Sequence, residues 1–258
     1  MATDDLDLQD IEAFVFDAFG TTVDWFTTVT REVARRSGGL IAEGSPEAVD
    51  FAREWRAGYT KAIHDVSEGK GGSTSLSTDV MHRELLDKML ETPRWSRLAS
   101  AWNEQDRHSL TMVWHHLDTY PGDSVEGLTE LKKHKVVITL SNGNFRLLLD
   151  MAKHASLPWD AILSAEMFGV YKPGREAYIK AAYHLSIEPH KIAMVAAHRW
   201  DLKGAASAGL RTIYVPRAAE DTPQIKAEMK TKKDGGEVDL IVGSFMELAE
   251  LVKGTSKD

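Results

Sequence analysis

An apolar run, Phe14-Val15-Phe16, ends on a single carboxylate, Asp17, and passes at once into Ala18-Phe19-Gly20-Thr21-Thr22. A short hydrophobic stretch closed by an acid and a Gly-Thr turn reads as a buried strand with Asp17 at its C-terminal tip. Open α/β sheets place their chemistry at that end of their strands. Two positions beyond Asp17 stands Phe19, not a second acid.

Similar β-rich runs recur at 136–140, 161–164, 192–195, 212–215 and 240–242, with helical spacing of apolar residues at 145–154, 176–184, 202–208 and 245–252. Alternating strand and helix predicts an α/β fold with a doubly wound parallel sheet. Between Asp24 and Tyr120 the strand signal disappears, and 46–64 and 79–89 show helical periodicity instead. The chain therefore divides into an α/β core, residues 1–24 and 118–258, and an inserted helical domain, residues 25–117. The stretch 67–78 carries Gly69, Gly71, Gly72 and several Ser and Thr, so it reads as a flexible loop, with a lid over the site as the alternative. A second charged loop, 217–237, is expected to cross the surface before the last strand.

Composition removes several classes of function. Acidic residues outnumber basic ones 39 to 31, for a net charge of -8, which argues against nucleic acid as the main partner. The chain has no cysteine, which excludes disulfides, thiolate nucleophiles and cysteine zinc sites. No apolar stretch approaches the roughly 18 residues of a membrane span. The acidic start lacks a signal-peptide pattern, so a cytoplasmic protein is the expectation.

Four groups of polar residues fall at or just after strand ends: Asp17 with Thr21; Ser141-Asn142-Gly143-Asn144; Lys172-Pro173 ahead of a helix holding Tyr178; and Asp201. A doubly wound sheet brings these ends to one rim. Each has a plainer reading alone. Asp201 could cap a helix, Ser141-Asn142-Gly143 could be a turn, and Lys172 could be solvated. Together they place a carboxylate, a hydroxyl, an amide, an ammonium and a second carboxylate in one neighbourhood.

These four segments, in this order, resemble the motifs of the haloacid dehalogenase superfamily. The inserted helices resemble its cap domain, so the fold implied is the Rossmann-like core of that superfamily. The nearest resemblance is to the type II L-2-haloacid dehalogenases. It is carried by Phe16-Asp17-Ala18-Phe19-Gly20-Thr21, Leu140-Ser141-Asn142-Gly143, Tyr171-Lys172-Pro173 with Tyr178, and Ala197-His198-Arg199-Trp200-Asp201. Trp55-Arg56 with Tyr59 resembles the family's halide-contacting arginine segment.

The resemblance implies hydrolysis of short L-2-haloacids to D-2-hydroxyacids, with no metal and no cofactor. Asp17 would attack carbon and form an ester. Lys172 would keep Asp17 and Asp201 ionised, and Asp201 would orient or deprotonate the hydrolytic water. Arg56 and Asn142 would cradle halide, and Ser141 would bind the substrate carboxylate. Thr21 would brace the nucleophile loop, and Tyr178 would brace Lys172 or Asp201 through its hydroxyl or is simply a half-buried helix tyrosine. Both are counted with the substrate-binding residues, and Trp200 would wall the pocket. Many type II members carry Ser-Ser-Asn where this chain has Ala196-Ala197-His198. His198 adds a group titratable near neutrality that positions water or ligand, or only packs. Leu76 stands where an aromatic cap contact is expected. A homodimer is the family-level expectation, with the haloacid, water and halide as small-molecule partners.

Two residues bear on the reaction type. Phosphatases of the superfamily carry an acid two residues after the nucleophile to protonate the leaving alcohol, and here that position is Phe19. Their extra magnesium ligand, four residues before the last aspartate, is here Ala197; a hard cation needs several oxygen donors. A halide leaves as a stable anion and needs neither group. The alternatives are another hydrolase of the superfamily, a phosphatase or phosphonatase-like enzyme, and a non-catalytic binding protein on the same fold.

Overall fold

The computed structural model describes residues 6–67 and 77–255. Most of the proposed flexible loop, including Leu76, lies outside them. Strand β1 (Ala13–Phe16) opens the chain's main sheet, and the two-residue strand β2 (Val23–Asp24) follows. Five helices come next: α1 (Trp25–Arg36), α2 (Pro46–Ser67), α3 (Thr78–Leu90), α4 (Ser96–Ala101) and α5 (Glu104–Thr111). β3 (Asp118–Thr119) returns antiparallel to β2. Strand and helix then alternate. In order they are α6 (Ser124–Lys132), β4 (Val136–Ser141), α7 (Phe145–His154), β5 (Ala161–Ser164), α8 (Ala165–Phe168), α9 (Arg175–Leu185), β6 (Ile192–Ala196), α10 (Arg199–Ser207), β7 (Arg211–Tyr214), α11 (Pro223–Glu228), β8 (Leu240–Ile241) and α12 (Phe245–Thr255).

The main sheet is parallel, in the order β5-β4-β1-β6-β7-β8. β1 therefore lies at the switch point, with β4 on one side and β6 on the other. Phe16 is level with Thr139 and Val195, so Asp17 emerges one step beyond the paired backbone, in the crevice where such sheets bind ligands. All four residues of β1 are fully buried. This explains why its sequence is a continuous apolar run, since a central parallel strand is covered on both faces.

The helical insertion is built on aromatic packing. Along α2, Phe51, Trp55, Tyr59 and Ile63 recur every four residues and all are buried, giving the helix one apolar stripe. Phe51 meets Trp95 and Trp102 edge-on, and Trp55 meets Trp114 in the same manner. One apolar cluster runs from these rings through Trp25 and Phe19 to the sheet face. The chain leaves the core and returns to it at the β2–β3 ribbon, and we place the boundary between core and cap there.

Two expectations change. Helix α10 starts at Arg199, not Leu202, so Asp201 lies inside its first turn, where its side chain caps nothing; the position before the helix is His198, which makes no side-chain cap bond either. The loop 217–237 is not simply a surface crossing. It contains α11, and its first part turns inward. The buried Arg217 donates to the Thr21 carbonyl at 3.0 Å and pairs with Asp123 at 2.5 Å. This anchor carries Glu220, whose side chain is only 7% exposed, against the turn after β1.

Gly20 is fitted to that approach. Its φ is +80°, and a Cβ built there would lie 2.3 Å from the Glu220 carboxylate. Gly20→Ala therefore combines left-handed backbone strain with a clash against a buried charge. Chemical denaturation should show a stability loss of about 1–3 kcal/mol; an unchanged midpoint would contradict this packing.

Candidate active site

Lys172 organises the rim. Its side chain is 1% exposed, and its ammonium donates to Asp17 Oδ1 at 2.8 Å and to Asp201 Oδ2 at 2.6 Å. The Asn142 amide fixes the lysine's backbone in both directions. Its Nδ2 donates to the Lys172 carbonyl at 2.9 Å, and its Oδ1 accepts from the Lys172 N–H at 2.8 Å. Asn142 was expected to cradle halide. It does line the cavity, but its amide is first of all the clamp that aims Lys172.

The other Asp17 oxygen is held from the core. Thr21 Oγ1 donates to Oδ2 at 2.9 Å and accepts from the Ala197 N–H at 2.9 Å, tying the β1 turn to the end of β6. Thr22 Oγ1 donates to the Asp17 carbonyl at 2.8 Å. Thr21 has no exposed surface and does not line the cavity, so it braces Asp17 from behind and does not face a ligand there. Tyr178 likewise does not line the cavity and braces Asp201, one of its two expected partners. Its hydroxyl lies 2.5 Å from Asp201 Oδ1, behind the site. Gly204 makes room for it, because a Cβ there would lie 2.7 Å from the Tyr178 oxygen. Asp201 thus has one oxygen on Lys172 and the other on Tyr178, is completely buried, and does not line the cavity.

The cavity measures about 300 Å³, at the small end for ligand sites. Asp17, Ser141, Lys172 and His198 contribute polar groups, and Phe19, Tyr59, Ile63 and Trp200 make an apolar wall. From α2, the Arg56 guanidinium lies over the rings of Phe19, Tyr59 and Trp25, 5.3 Å, 5.3 Å and 5.5 Å from their centres. Its Nη1 is buried with no hydrogen-bond partner among the described residues. A desolvated cation with a free N–H on a cavity wall is a site for an anion. Phe19, which stands where a second acid would, supplies part of the apolar seat for that cation. Gly143 admits it, since a Cβ there would lie 3.0 Å from the Phe19 ring.

His198 and Glu220 complete the site. The His198 Nε2 is 2.7 Å from Glu220 Oε2, and Glu220 Oε1 accepts from the Trp25 indole at 2.6 Å. The His198 Nδ1 is 3.2 Å from Asp17 Oδ2, at ion-pair distance, and has no hydrogen-bond partner among the described residues. Trp200, partly exposed at the cavity mouth, stacks on the imidazole. Sequence reasoning missed Glu220. Position was the available signal: it follows β7 as the other site residues follow β1, β4 and β6.

The charges set protonation. Burial alone would raise the Asp17 carboxyl, but Lys172 and His198 outweigh it and hold Asp17 far below the usual carboxylate range. For Lys172, burial is outweighed by Asp17 and Asp201, and its ammonium is retained. For Asp201, burial and the neighbouring Asp17 prevail over Lys172 and push it up. His198 is raised to about 10 because Asp17 and Glu220 overcome its burial. Asp17 is thus an ionised, oriented carboxylate at the floor of a small cavity, facing a cavity-side cation.

A family model described as haloacid dehalogenase-like hydrolase matches residues 11–209. Fold and rim define a hydrolase with an aspartate at a strand tip, and the chain belongs to the haloacid dehalogenase-like hydrolases. Among its relatives, (S)-2-haloacid dehalogenase 4A of Burkholderia cepacia is 28% identical over 216 residues, spanning 81% of this chain and 85% of that protein. The crystal structure of a defluorinating L-2-haloacid dehalogenase superposes with a TM-score of 0.81 at 33% identity, covering 94% of this chain and 95% of that one. Another L-2-haloacid dehalogenase structure gives 0.76 at 30% identity, with 93% and 98% covered.

The raised His198 pKa sets a pH signature. Its contribution to stability is fully present below its unfolded value near 6.5 and is lost as pH rises through about 10. The stability advantage of wild type over His198→Asn should therefore shrink between pH 6.5 and 10, read as urea midpoints. A constant or growing advantage would contradict the charge pairing.

Proposed function

We propose that this protein hydrolyses short L-2-haloacids to D-2-hydroxyacids without a metal, through an ester on Asp17. The observation that carries the reading is the pair of an ionised Asp17 and an unpartnered Arg56 Nη1 on one small, largely apolar cavity. In-line displacement needs a carboxylate nucleophile on one side of the carbon and an anion site for the leaving group on the other. Lys172 and Thr21 fix the two Asp17 oxygens, so little orientation remains to be paid for in the transition state. Ser141, at the end of β4, would receive the substrate carboxylate, and Tyr59 and Ile63 would face its carbon chain. Halide departs to Arg56. Water then adds to Cγ of the ester, releasing the hydroxyacid and restoring Asp17. The names of the relatives, dehalogenases of (S)- or L-2-haloacids, support the substrate class and its handedness.

Magnesium-assisted phosphoryl transfer fits these residues poorly. The fourth residue before Asp201 is Ala197, whose methyl offers no ligand and whose N–H is spent on Thr21. The second residue after Asp17 is Phe19, which offers no proton to a leaving alcohol. A cytoplasmic location and a homodimer accompany this reading. Among the described residues, no helix is long and apolar enough to cross a membrane.

Purified protein in EDTA should release chloride from (S)-2-chloropropionate and not from the R enantiomer, and Asp17→Asn should lower the rate at least ~10³-fold. No halide from any 2-haloacid, together with magnesium-dependent phosphate release from an aryl phosphate, would sink the reading.

A further inference from the structure

Hydrolysis of an aspartyl ester needs a base for the attacking water, and the sequence offered Asp201 for that task. The geometry turns elsewhere. Asp201 is enclosed, with Lys172 on one oxygen and Tyr178 on the other, and has no surface on the cavity. His198 does line the cavity, and its Nδ1 lies beside the Asp17 carboxylate with no hydrogen-bond partner among the described residues. Its far nitrogen is anchored by Glu220, itself fixed by the Trp25 indole. A base within reach of the reacting carboxylate, oriented by a third buried group, is the arrangement that water activation requires.

We infer that His198 is the general base that hydrolyses the Asp17 ester, and that Glu220 is the positioning residue that fixes its ring and tautomer. The inference rests on the dehalogenase reading above.

The charge logic makes the base appear only when it is needed. In the free enzyme, His198 faces ionised Asp17 from β1 and Glu220 from the loop after β7. Lys172 holds the other Asp17 oxygen, and Arg56 on α2 stands across the cavity, within electrostatic reach of Glu220. These two carboxylates hold the imidazole protonated, so it cannot act as a base in that state. Alkylation breaks the carbon–halogen bond, forms the Asp17 oxygen–carbon bond and removes the negative charge from Asp17. The Nδ1 proton then loses its closest counter-charge and leaves to solvent, while Nε2–H remains on Glu220.

Neutral Nδ1 takes a proton from water as the water oxygen adds to Cγ of Asp17. The tetrahedral intermediate collapses with cleavage of the bond between Cγ and the ester oxygen, and the imidazolium returns its proton to the departing alkoxide. Asp17 emerges as a carboxylic acid and transfers its proton to His198, which restores the starting ion pair. Per turnover, one haloacid and one water give one hydroxyacid, one halide and one proton to solvent.

Gly20 has a part in this device. Its missing side chain and positive φ allow the Glu220 carboxylate to sit against the nucleophile turn. Ala196 and Ala197, lacking side-chain oxygens, leave His198 as the only side chain of the 196–198 segment able to exchange a proton.

The test is a single-turnover experiment on the full chain, with enzyme in excess over (S)-2-chloropropionate. Chloride and intact protein mass are followed after rapid quenching. His198→Asn and His198→Gln should each still release stoichiometric chloride and then persist as an alkylated protein. Ester hydrolysis should be about 10²-fold slower or more. In wild type the hydrolysis rate should rise with pH as His198 deprotonates. That limb should vanish in both His198 variants. In Glu220→Gln it should move to lower pH with about a 10-fold slower plateau, since an amide stabilises imidazolium less than a carboxylate does.

Ester hydrolysis within 3-fold of wild type in either His198 variant would overturn the assignment. So would loss of the chloride burst in both variants, because His198 would then serve alkylation. Wild-type protein that releases no chloride at all would overturn the dehalogenase reading, and this inference with it.

Discussion

The structure depends on one buried ammonium. Lys172 lies between Asp17 and Asp201 with almost no exposed surface, and no other group among the described residues bridges the two carboxylates. Removing one member of a buried ion cluster leaves uncompensated charge at a cost of about 3–5 kcal/mol, so the surrounding fold is arranged to hold it. The β1 turn presents Asp17, the first turn of α10 presents Asp201, and the Asn142 amide at the end of β4 fixes the lysine's backbone. Tyr178 on α9 closes the far side of Asp201. Two strand ends and two helices meet around one cation, at the point where the sheet order reverses.

A second set of charges sits around the first. His198 and Glu220 face Asp17 from the β6 and β7 sides, and Arg56 faces it from the cap. The inner cluster holds Asp17 as an anion; in the proposed reaction the outer one supplies an anion site and a proton-transfer group. The functional reading follows from the division between them. The inner charges are fully paired. Among the described residues, Arg56 Nη1 and His198 Nδ1 each lack a hydrogen-bond partner at the cavity.

Much of this was legible in the sequence because strand tips carry chemistry in this class of sheet. Apolar runs located the strands to within a residue or so, and the polar residues after β1, β4 and β6 marked the rim. The same rule, applied after β7, points to the loop that holds Glu220. The density of charge from 217 onward hid it, since charged stretches usually face water. The role of Asn142 as a clamp on the Lys172 backbone was not legible; bracing by Thr21 and Tyr178 was anticipated, but not which atoms they hold. Which way an amide or hydroxyl turns is decided by partners far away in the chain, such as the Lys172 backbone or the Ala197 N–H. The shift of the α10 start from 202 to 199 has a similar origin: its first turn is fixed by the ion cluster and not by apolar periodicity.

The central claim is that Asp17 forms a bond to carbon and is itself the site of hydrolysis. It is tested most directly by one turnover of (S)-2-chloropropionate with excess enzyme in water enriched in oxygen-18. The account predicts a hydroxyacid without label and one heavy oxygen in the proteolytic peptide that contains Asp17, because the product keeps an original carboxylate oxygen. Label in the hydroxyacid with none in the peptide would show water attacking carbon directly and would contradict the account.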